Sequence, residues 1–339
     1  MRQTTNRNLT KQILTLALAF VMVFTGMGIG SWGVDTAWAT GGSGSTLTSA
    51  VWDGTETTEP QTDENGVYQI STGAELAWFA AKVNGGTASN AEAILKNNID
   101  LGGNEWTPIG KTSINYLGTF DGQGYKIQNF KITKMPEEGN LKYIGFFART
   151  DLATIQNVNI EGEITINETV SGVYYGGILA SASRSKIINC SSNIKFVING
   201  KRPTRNGQIR LGGIVGSLRK NSTCVGCSNI ADIQYNVEFS AKLHQAFIGG
   251  IAGEVDTSSI DAAYNTGMIS ADISKTGQVW CGGIVGIVKN ASDINNVFNI
   301  GTIKSEATQG DAATLTIWWK QRISKKCDLF AKFRLKWHI

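Results

Sequence analysis

Cysteine and histidine are the residue types in this chain most able to bind a metal or act as nucleophiles. The cysteines are Cys190, Cys224, Cys227, Cys281 and Cys327. The Cys224-x-x-Cys227 spacing occurs in zinc and redox sites, but a zinc site needs two more ligands. His244 and His338 lie almost a hundred residues apart, and a thioredoxin-like site needs a βαβ setting that the sequence lacks. We therefore predict small apolar core cysteines and no metal or cofactor.

Carboxylates are the next candidates, because polysaccharide lyases and hydrolases use clustered acidic residues. The aspartates considered are Asp100, Asp121, Asp256, Asp261, Asp272 and Asp293. No pair recurs at one repeat position, and each fits a turn. The chain also lacks the His-Glu-x-x-His motif of zinc proteases. We predict no catalytic residues. The alternatives are a secreted carbohydrate-active enzyme and the non-catalytic part of a surface zinc protease.

A repeated Gly-Gly-Ile motif, with a period of about 33–37 residues, is the strongest signal in the sequence. The repeated residues are Gly177, Ile178, Gly213, Ile214, Gly250, Ile251, Gly283 and Ile284. A degenerate first copy reads Ile144-Gly145-Phe146-Phe147. A unit this short cannot bury an apolar face alone, but stacked units share one continuous core. The motif therefore indicates a repeat architecture.

Three more columns keep this period. The first contains Ile155, Ile187, Cys224, Ile260 and Ile294, and the second contains Val158, Cys190, Cys227, Ala263 and Val297. The third is an asparagine column of Asn193, Asn229, Asn265 and Asn299. In stacked strands, like apolar residues would pack about 4.8 Å apart. Stacked asparagines would hydrogen-bond along the axis.

The columns predict an all-β fold, a right-handed parallel β-helix (β-solenoid), since parallel crossovers are almost always right-handed. A helical solenoid is excluded because no copy has a stretch with helical apolar spacing. Each glycine in a helix would also cost about 1 kcal/mol. A β-propeller has a similar period and remains the alternative architecture.

The first 39 residues predict a signal peptide. Three basic residues precede an apolar run from Ile13 to Phe24, and Ala37 and Ala39 form a small-x-small cleavage site. The run is short for a membrane span, which needs about 20 residues, and an uncleaved anchor is the alternative. We predict cleavage after Ala39, secretion to the cell surface, and no stable membrane span afterwards.

The rest of the chain divides by composition and pattern. Residues 40–66 are rich in Gly, Ser, Thr and Glu and predict a flexible lead-in. Residues 67–135 predict a cap and first coils, with one amphipathic helix after a capping box at Thr72. Residues 136–304 hold the repeats. One short helix ahead of a solenoid is expected to cover its open end.

In residues 305–339 the repeat register is lost. From residue 318 onward this aberrant tail holds seven lysines and arginines against one aspartate. We predict a frameshifted or misassembled segment, with a cationic amphipathic tail as the alternative. The formal net charge is +4, but both ends are basic, so the body between them is mildly acidic. Without a basic stripe in that body, a nucleic-acid partner is not expected.

The repeats resemble the GLUG-motif family of secreted bacterial surface proteins. The resemblance rests on Gly-Gly-Ile-Val-Gly at 212–216 and 282–286 and on Asn-x-Gly at 265–267. Trp106-Thr-Pro-Ile-Gly110 resembles the segment that often precedes such repeats, and the likeness spans about residues 67–304. The family implies a right-handed β-helix, export and adhesin-like proteins. Some members are non-catalytic parts of immunoglobulin A-specific zinc metalloproteases.

Together these observations predict an exported, non-catalytic binding or display module. Its expected partner is a host glycan, a host protein or a cell-wall polymer, because a long ridged surface suits extended partners. Tyr174, Tyr175 and Trp280 are candidates for stacking on sugars. The alternative is that these aromatic side chains cover the sides of the solenoid.

Overall fold

The protein folds as a parallel β-solenoid of about five turns. The structure is a computed structural model, and it describes residues 50–136, 139–167, 172–202, 207–239, 245–275, 278–307 and 314–318. Each turn of the chain, here called a coil, passes through four sheets, A to D, in that order. The predicted parallel solenoid is confirmed, and the β-propeller alternative is wrong.

Sheets A and B are consecutive in every coil. The Gly-Gly-Ile corner joins them in coils 2 to 5, and Gly145-Phe146 joins them in coil 1. Sheet A contains β7 (Lys142–Ile144), β11 (Val173–Gly176), β15 (Gln208–Gly212), β20 (Gln245–Gly249), β25 (Gln278–Gly282) and β30 (Thr314–Trp318). Sheet B contains β8 (Phe147–Asp151), β12 (Leu179–Ser183), β16 (Val215–Arg219), β21 (Ala252–Asp256) and β26 (Val285–Lys289).

Sheets C and D complete each coil. Sheet C contains β1 (Gln61–Thr62), β2 (Tyr68–Ile70), β3 (Ala93–Leu95), β5 (Thr119–Asp121), β9 (Thr154–Gln156), β13 (Lys186–Ile188), β17 (Thr223–Val225), β22 (Ser259–Asp261) and β27 (Asp293–Asn295). Sheet D contains β4 (Ile99–Asp100), β6 (Lys126–Ile132), β10 (Asn159–Ile166), β14 (Ser191–Arg202), β18 (Ser228–Asn229), β19 (Ile233–Phe239), β23 (Tyr264–Asn265), β24 (Ile269–Lys275), β28 (Phe298–Asn299) and β29 (Ile303–Ala307). Coils 1 to 5 are β7–β10, β11–β14, β15–β19, β20–β24 and β25–β29.

Residues of the predicted columns are neighbours in successive coils. In sheet C, Ile187 pairs with both Ile155 and Cys224, and the column continues through Ile260 to Ile294. At the corner, the N–H groups of Ile178, Ile214 and Ile251 donate to the carbonyls of Ile214, Ile251 and Ile284 at 3.0, 3.1 and 2.9 Å. These side chains form one apolar core that runs along the stack, so the predicted ladders are confirmed.

The two glycines of each corner have different roles. A Cβ on the first, Gly212, would lie 2.1 Å from the Val215 carbonyl oxygen, so the sharp corner excludes any side chain there. A Cβ on the second, Gly213, would lie 2.3 Å from Cγ of Asn229. The same clash with an asparagine occurs at Gly250 and Gly283. The second glycine therefore leaves space for a side chain of sheet D.

That side chain belongs to a buried asparagine ladder. Asn229 Nδ2 donates to Asn265 Oδ1 at 2.7 Å, and Asn265 Nδ2 donates to Asn299 Oδ1 at 2.7 Å. Each Nδ2 also donates to the backbone carbonyl two residues further along, at 2.8–2.9 Å. The ladder therefore ties sheet D of coils 3, 4 and 5 together inside the solenoid.

Asn193 is not part of this ladder, so its prediction is wrong. The residue that pairs with Asn229 is Ser192, and Asn193 is exposed. The cause is one extra residue in the turn after β16. Lys220 and Asn221 both have left-handed backbone there, with φ of 55° and 62°, where coil 2 has Arg184 alone. This insertion lengthens the true repeat by one residue.

The predicted N-terminal helix is confirmed as α1 (Gly73–Asn84), with a capping box between Thr72 and Glu75. Its buried face includes Phe79, whose ring centroid lies 6.0 Å from that of Tyr116 and 6.1 Å from that of Phe120. Phe120 pairs with Ile155 of coil 1. The helix therefore closes the apolar core at its first rungs, as a cap is expected to do.

The lead-in differs from its prediction. Trp52 is buried, its ring centroid lies 6.1 Å from that of Trp106, and its backbone N–H donates to the Asp100 carbonyl at 3.0 Å. Strand β1 pairs with β2, the one antiparallel pairing among the described strands. A flexible lead-in is therefore wrong for residues 50–66, because one tryptophan supplies enough apolar area to fix the segment. Residues 40–49 and the predicted signal peptide lie outside the described residues.

The boundary of the aberrant tail also moves. Strand β29 pairs with β24 through residue 307, and β30 pairs with β25 through residue 318, both in parallel register. Backbone pairing does not need the repeat motif, so sheets A and D continue past residue 304. Trp318 pairs with Gly282, so a tryptophan stands where each corner has its first glycine. Residues 319–339 lie outside the described residues.

The missing rung leads to a test. Asn229 Oδ1 is buried without a hydrogen-bond partner among the described residues, because Ser192 is too short to reach it. We expect Ser192→Asn to donate to this oxygen and raise the free energy of unfolding by about 1 kcal/mol. Urea denaturation measures the change. The exposed neighbour provides the control, since Asn193→Ser should change stability by less than about 0.5 kcal/mol. A destabilised Ser192→Asn protein would contradict the ladder.

Candidate binding surface

The four cysteines that the structure describes are buried in the core. Cys190, Cys224 and Cys227 stack in the apolar columns, and Cys281 lies on the inner face of sheet A. Burial raises the pKa of the Cys281 thiol to about 12 and also raises the pKa of Cys190. These two thiols stay protonated and are poor nucleophiles. Hydrogen bonds with Cys190 and Cys224 lower the pKa of Cys227, which is fully buried. Their predicted packing role is confirmed, while Cys327 and both histidines lie outside the described residues.

The aspartates are turn residues in most of the predicted cases. Four of the six accept a hydrogen bond from an asparagine with left-handed backbone in the next coil or rung. The bonds join Asp100 to Asn129, Asp121 to Asn157, Asp256 to Asn290 and Asp261 to Asn296. Asparagine tolerates this backbone region better than most residues. The carboxylates therefore hold successive turns together.

Two of the three predicted sugar-stacking residues are wrong. Tyr175 points into the core and is fully buried, and Tyr174 is 5% exposed. Tyr174 is buried although it lies on the outer side of sheet A, because arginine side chains cover its ring. Trp280 is half-buried, with its ring centroid 5.0 Å from that of Phe247. The alternative, that these aromatics cover the solenoid, holds for Tyr174.

Tyr174 lies where the outer faces of sheets A and B turn towards each other and form a concave surface. Small residues on sheet B let the two backbones approach closely. A Cβ on Gly253 would lie 2.5 Å from the Leu211 backbone nitrogen. Tyr143, Tyr174, Ala148 and Ala180 form a second apolar cluster there, separate from the main core. The solenoid therefore has a packed groove on its outside.

We call this feature the corner groove. Its sheet A wall consists of residues that are stacked in register, namely Tyr143, Tyr174, Arg210, Phe247 and Trp280. Its sheet B wall and rim carry Arg149, Ser181, Ser217, Arg219, Glu254 and Lys289. Aromatic and cationic side chains thus share one face across five coils.

Glu254 is the buried charge of the corner groove, with 2% of its side chain exposed. Its carboxylate lies 2.9 Å from Arg210 Nε and 2.6 Å from Lys289 Nζ, and it accepts a hydrogen bond from Ser217 Oγ at 3.0 Å. Burial alone would raise the pKa of Glu254, but the two cations outweigh it and hold the pKa below its usual value. The network therefore links coils 3, 4 and 5.

Arginine guanidinium groups lie over the tyrosine rings. Arg210 and Arg219 have their guanidinium carbons 4.8 and 5.6 Å from the Tyr174 ring centroid. Arg149 lies 5.0 Å from the Tyr143 ring centroid. The two tyrosine rings stack on each other at 4.9 Å. Cation–π contact of this kind restrains the arginine side chains.

A second feature is an exposed apolar strip on the short strands and turns of sheet D. We call it the outer strip. It consists of Ile230, Tyr264, Phe298 and Ile300, which are 45%, 36%, 48% and 73% exposed. The Tyr264 and Phe298 rings are stacked, with centroids 5.1 Å apart and planes 7° apart. The outer strip therefore presents two parallel, stacked aromatic rings that stay partly exposed to solvent.

Neither feature was predicted from the sequence. The signal for the corner groove is the residue two places before the first glycine of each corner, which is Tyr174, Arg210, Phe247 or Trp280. These residues have no common chemical type, so the column escapes a search for like residues. The signal for the outer strip is the residue just before the last two ladder asparagines, Asn265 and Asn299, since Tyr264 and Phe298 stand there.

The charge network in the corner groove predicts a pH-dependent effect on stability. We expect Glu254→Gln to lower the free energy of unfolding at pH 7 by about 1–3 kcal/mol, because two cations lose their partner. The folded pKa of Glu254 is depressed, so its stabilisation is present above the unfolded pKa of about 4.3 and is lost as pH falls below it. Urea denaturation from pH 7 to pH 3 should show the two proteins converging.

The surface pair of Glu161 with Lys126, 3.2 Å apart, provides the control for this measurement. Glu161→Gln should cost less than about 1 kcal/mol, because exposed ion pairs contribute little. A difference between wild type and Glu254→Gln that stays constant or widens towards pH 3 would contradict the assigned network.

Comparisons of the chain with protein-family models and with curated proteins found no match. The resemblance to GLUG-motif repeats therefore rests on the quoted residues alone and stays a prediction. In the part of the chain that the structure describes, no helix has the length and apolar character that a membrane crossing requires. Within the same residues, no three His, Cys, Asp or Glu side chains are grouped so as to hold a metal ion.

Proposed function

We propose that this chain is an exported, non-catalytic module that binds an extended partner at a bacterial cell surface. Support comes from the predicted signal peptide, from the GLUG-like repeats, and from a solenoid whose faces repeat at regular intervals along its axis. A ligand that is itself a repeating chain can contact the same kind of side chain in successive coils.

The outer strip is the observation that carries this proposal. Isolated exposed apolar residues are common on protein surfaces, but a contiguous apolar strip is typical of an interaction site. Tyr264 and Phe298 hold their rings parallel without burying them, at 36% and 48% exposure. Part of each ring therefore stays accessible among the described residues, and a ligand can contact it there.

A glycan chain is the partner that this surface favours. Sugar rings have an apolar face, which stacks on exposed aromatic rings. The Tyr264 and Phe298 centroids are 5.1 Å apart, close to the strand spacing of about 4.8 Å, so the rings follow the solenoid axis. Ile230 and Ile300 are also exposed, each directly after a ladder asparagine, in coils 3 and 5. A host glycan or a cell-wall polysaccharide lying along sheet D would contact all four.

Binding to a panel of soluble and insoluble polysaccharides, peptidoglycan included, tests the proposal. We expect retention of the wild-type chain by at least one glycan. Tyr264→Ala with Phe298→Ala should weaken it by about tenfold or more, since about 1.4 kcal/mol of lost stacking is a factor of ten. The matched control is Leu152→Ala, which removes a 64% exposed leucine away from the outer strip, and it should bind as wild type does.

Product analysis in the same incubations, with and without calcium, separates binding from turnover. Retention without new reducing ends or unsaturated products supports a non-catalytic module. New products would contradict the non-catalytic module and favour the alternative, a carbohydrate-active enzyme. Equal losses in the outer-strip variant and in Leu152→Ala would show that the strip is not the binding face.

A further inference from the structure

We propose that the corner groove is a second binding site, which takes the acidic groups of a carboxylate- or sulfate-bearing polysaccharide. This inference rests on the proposed binding function and adds the chemical class of its ligand. The corner groove is distinct from the outer strip, since its residues belong to sheets A and B and those of the strip belong to sheet D.

The balance of charge in the corner groove favours an anion. Its cations are Arg149, Arg210, Arg219 and Lys289, and its one buried carboxylate, Glu254, is already bound by Arg210 and Lys289. Within the described ranges, no carboxylate lies within ion-pair distance of Arg149 or Arg219. Two guanidinium groups are therefore without an ion-pair partner among the described residues, in a chain body that is mildly acidic overall.

The carboxylates on the rim do not neutralise them. Asp151, the last residue of β8, pairs with Arg184 in the turn after β12. Asp256, the last residue of β21, accepts hydrogen bonds from the adjacent Thr257 and from Asn290 in the turn after β26. Both aspartates are therefore committed to turns between sheets B and C. Among the described residues, Arg149 and Arg219 therefore form no ion pair that an added anion would have to displace.

Hydrogen bonding at Arg219 points the same way. Its guanidinium donates one bond, to Ser181 Oγ at 3.2 Å. Its Nε is buried and has no hydrogen-bond partner among the described residues. A buried donor left unpaired costs about 1–3 kcal/mol. The guanidinium of this half-buried residue is therefore poorly satisfied by the protein, which leaves its other N–H groups as donors for a ligand oxygen.

The tyrosines prepare the arginines for an anion. A guanidinium stacked on a ring keeps its N–H groups in the plane parallel to that ring, where a carboxylate or sulfate can bind two of them. Arg149 lies over Tyr143 and Arg219 lies over Tyr174, at 5.0 and 5.6 Å. Because the rings already restrain these side chains, binding costs less conformational entropy than it would for free arginines.

The cations also repeat along the axis, which favours a polymer over a small anion. Arg149 lies in coil 1, Arg219 in coil 3 and Lys289 in coil 5, so a cation occurs in every second coil. With strands about 4.8 Å apart, such groups recur at roughly 10 Å. An extended polysaccharide with an acidic sugar at regular intervals meets them one after another.

Binding of the full chain to polygalacturonate, dextran sulfate and neutral dextran tests the inference. We expect binding to at least one acidic polymer, weakening with added salt, and none to neutral dextran. The double variant Arg149→Gln with Arg219→Gln should weaken binding to the acidic polymer by about tenfold or more, which corresponds to a loss of about 1.4 kcal/mol of binding free energy. The control variant, Lys186→Gln with Lys195→Gln, removes the same charge from exposed sites outside the groove. It should weaken binding by less than about threefold, which corresponds to less than about 0.7 kcal/mol of binding free energy.

Chemical labelling gives a readout that does not depend on variants that fold. Phenylglyoxal modifies arginine, and mass spectrometry locates each modified residue. Bound acidic polymer should slow the modification of Arg149 and Arg219 but leave that of the exposed Arg184 unchanged. Equal slowing at all three residues would indicate bulk charge and overturn the site, as would the absence of binding to either acidic polymer.

The outer-strip variant, Tyr264→Ala with Phe298→Ala, separates failure of this inference from failure of the proposed function. If acidic polymer binding is lost in that variant and kept in the arginine variant, the corner groove is wrong and the outer strip stands. If the wild type binds no neutral or acidic glycan, both proposals fail together.

Discussion

Asn229, Asn265 and Asn299 place polar side chains inside the solenoid, where an amide without hydrogen bonds would cost about 1–3 kcal/mol. Most of this cost is avoided, because all three Nδ2 groups donate to a local carbonyl and those of Asn229 and Asn265 also donate to the asparagine of the next coil. This arrangement needs room, and the second glycine of each corner supplies it. The glycine motif and the asparagine column are therefore two halves of one interaction, which sets the register of the coils.

Once that register is set, the outer surfaces follow. Each position of a strand is repeated one coil later, so side chains with no chemical likeness are still held in one row. The corner groove depends on this effect, because sheets A and B fold back on each other at the double glycine and their outer side chains converge. Tyr174, Arg210 and Glu254 are then close enough to interact. The outer strip depends on it too, since Tyr264 and Phe298 precede ladder asparagines.

Residues that recur in kind were predictable from the sequence. The ladder of Ile178, Ile214 and Ile251 and the packing role of Cys224 follow from columns of like residues at a constant period. The rung at Asn193 was not predictable, because the extra turn residue at Lys220–Asn221 compensates for the misplaced asparagine and leaves the apparent spacing intact. Trp52 was missed for another reason, since its loop composition hides one residue that the first coils bury.

The candidate binding surface was less predictable than the fold. Sequence periodicity indicates which residues alternate, but it does not indicate that the outer faces of two sheets pack against each other. The prediction for Tyr174 therefore placed its side chain correctly on the outer face but was wrong about its exposure. The arginines that cover its ring come from the next coil. To predict such a groove, the pairing register of the strands must be known first, because the register decides which side chains lie next to each other on the outer face.

The most direct test of this account is the contact between each second glycine and its asparagine in solution. Nuclear Overhauser spectra of the deuterated, amide-protonated chain with protonated glycine should show cross-peaks from the Gly213 and Gly250 Hα protons to the side-chain amides of Asn229 and Asn265. Those amides should also exchange slowly with water, while that of Asn193 exchanges fast. Missing cross-peaks, together with fast exchange at Asn229 and Asn265, would contradict the interlock and the register that depends on it.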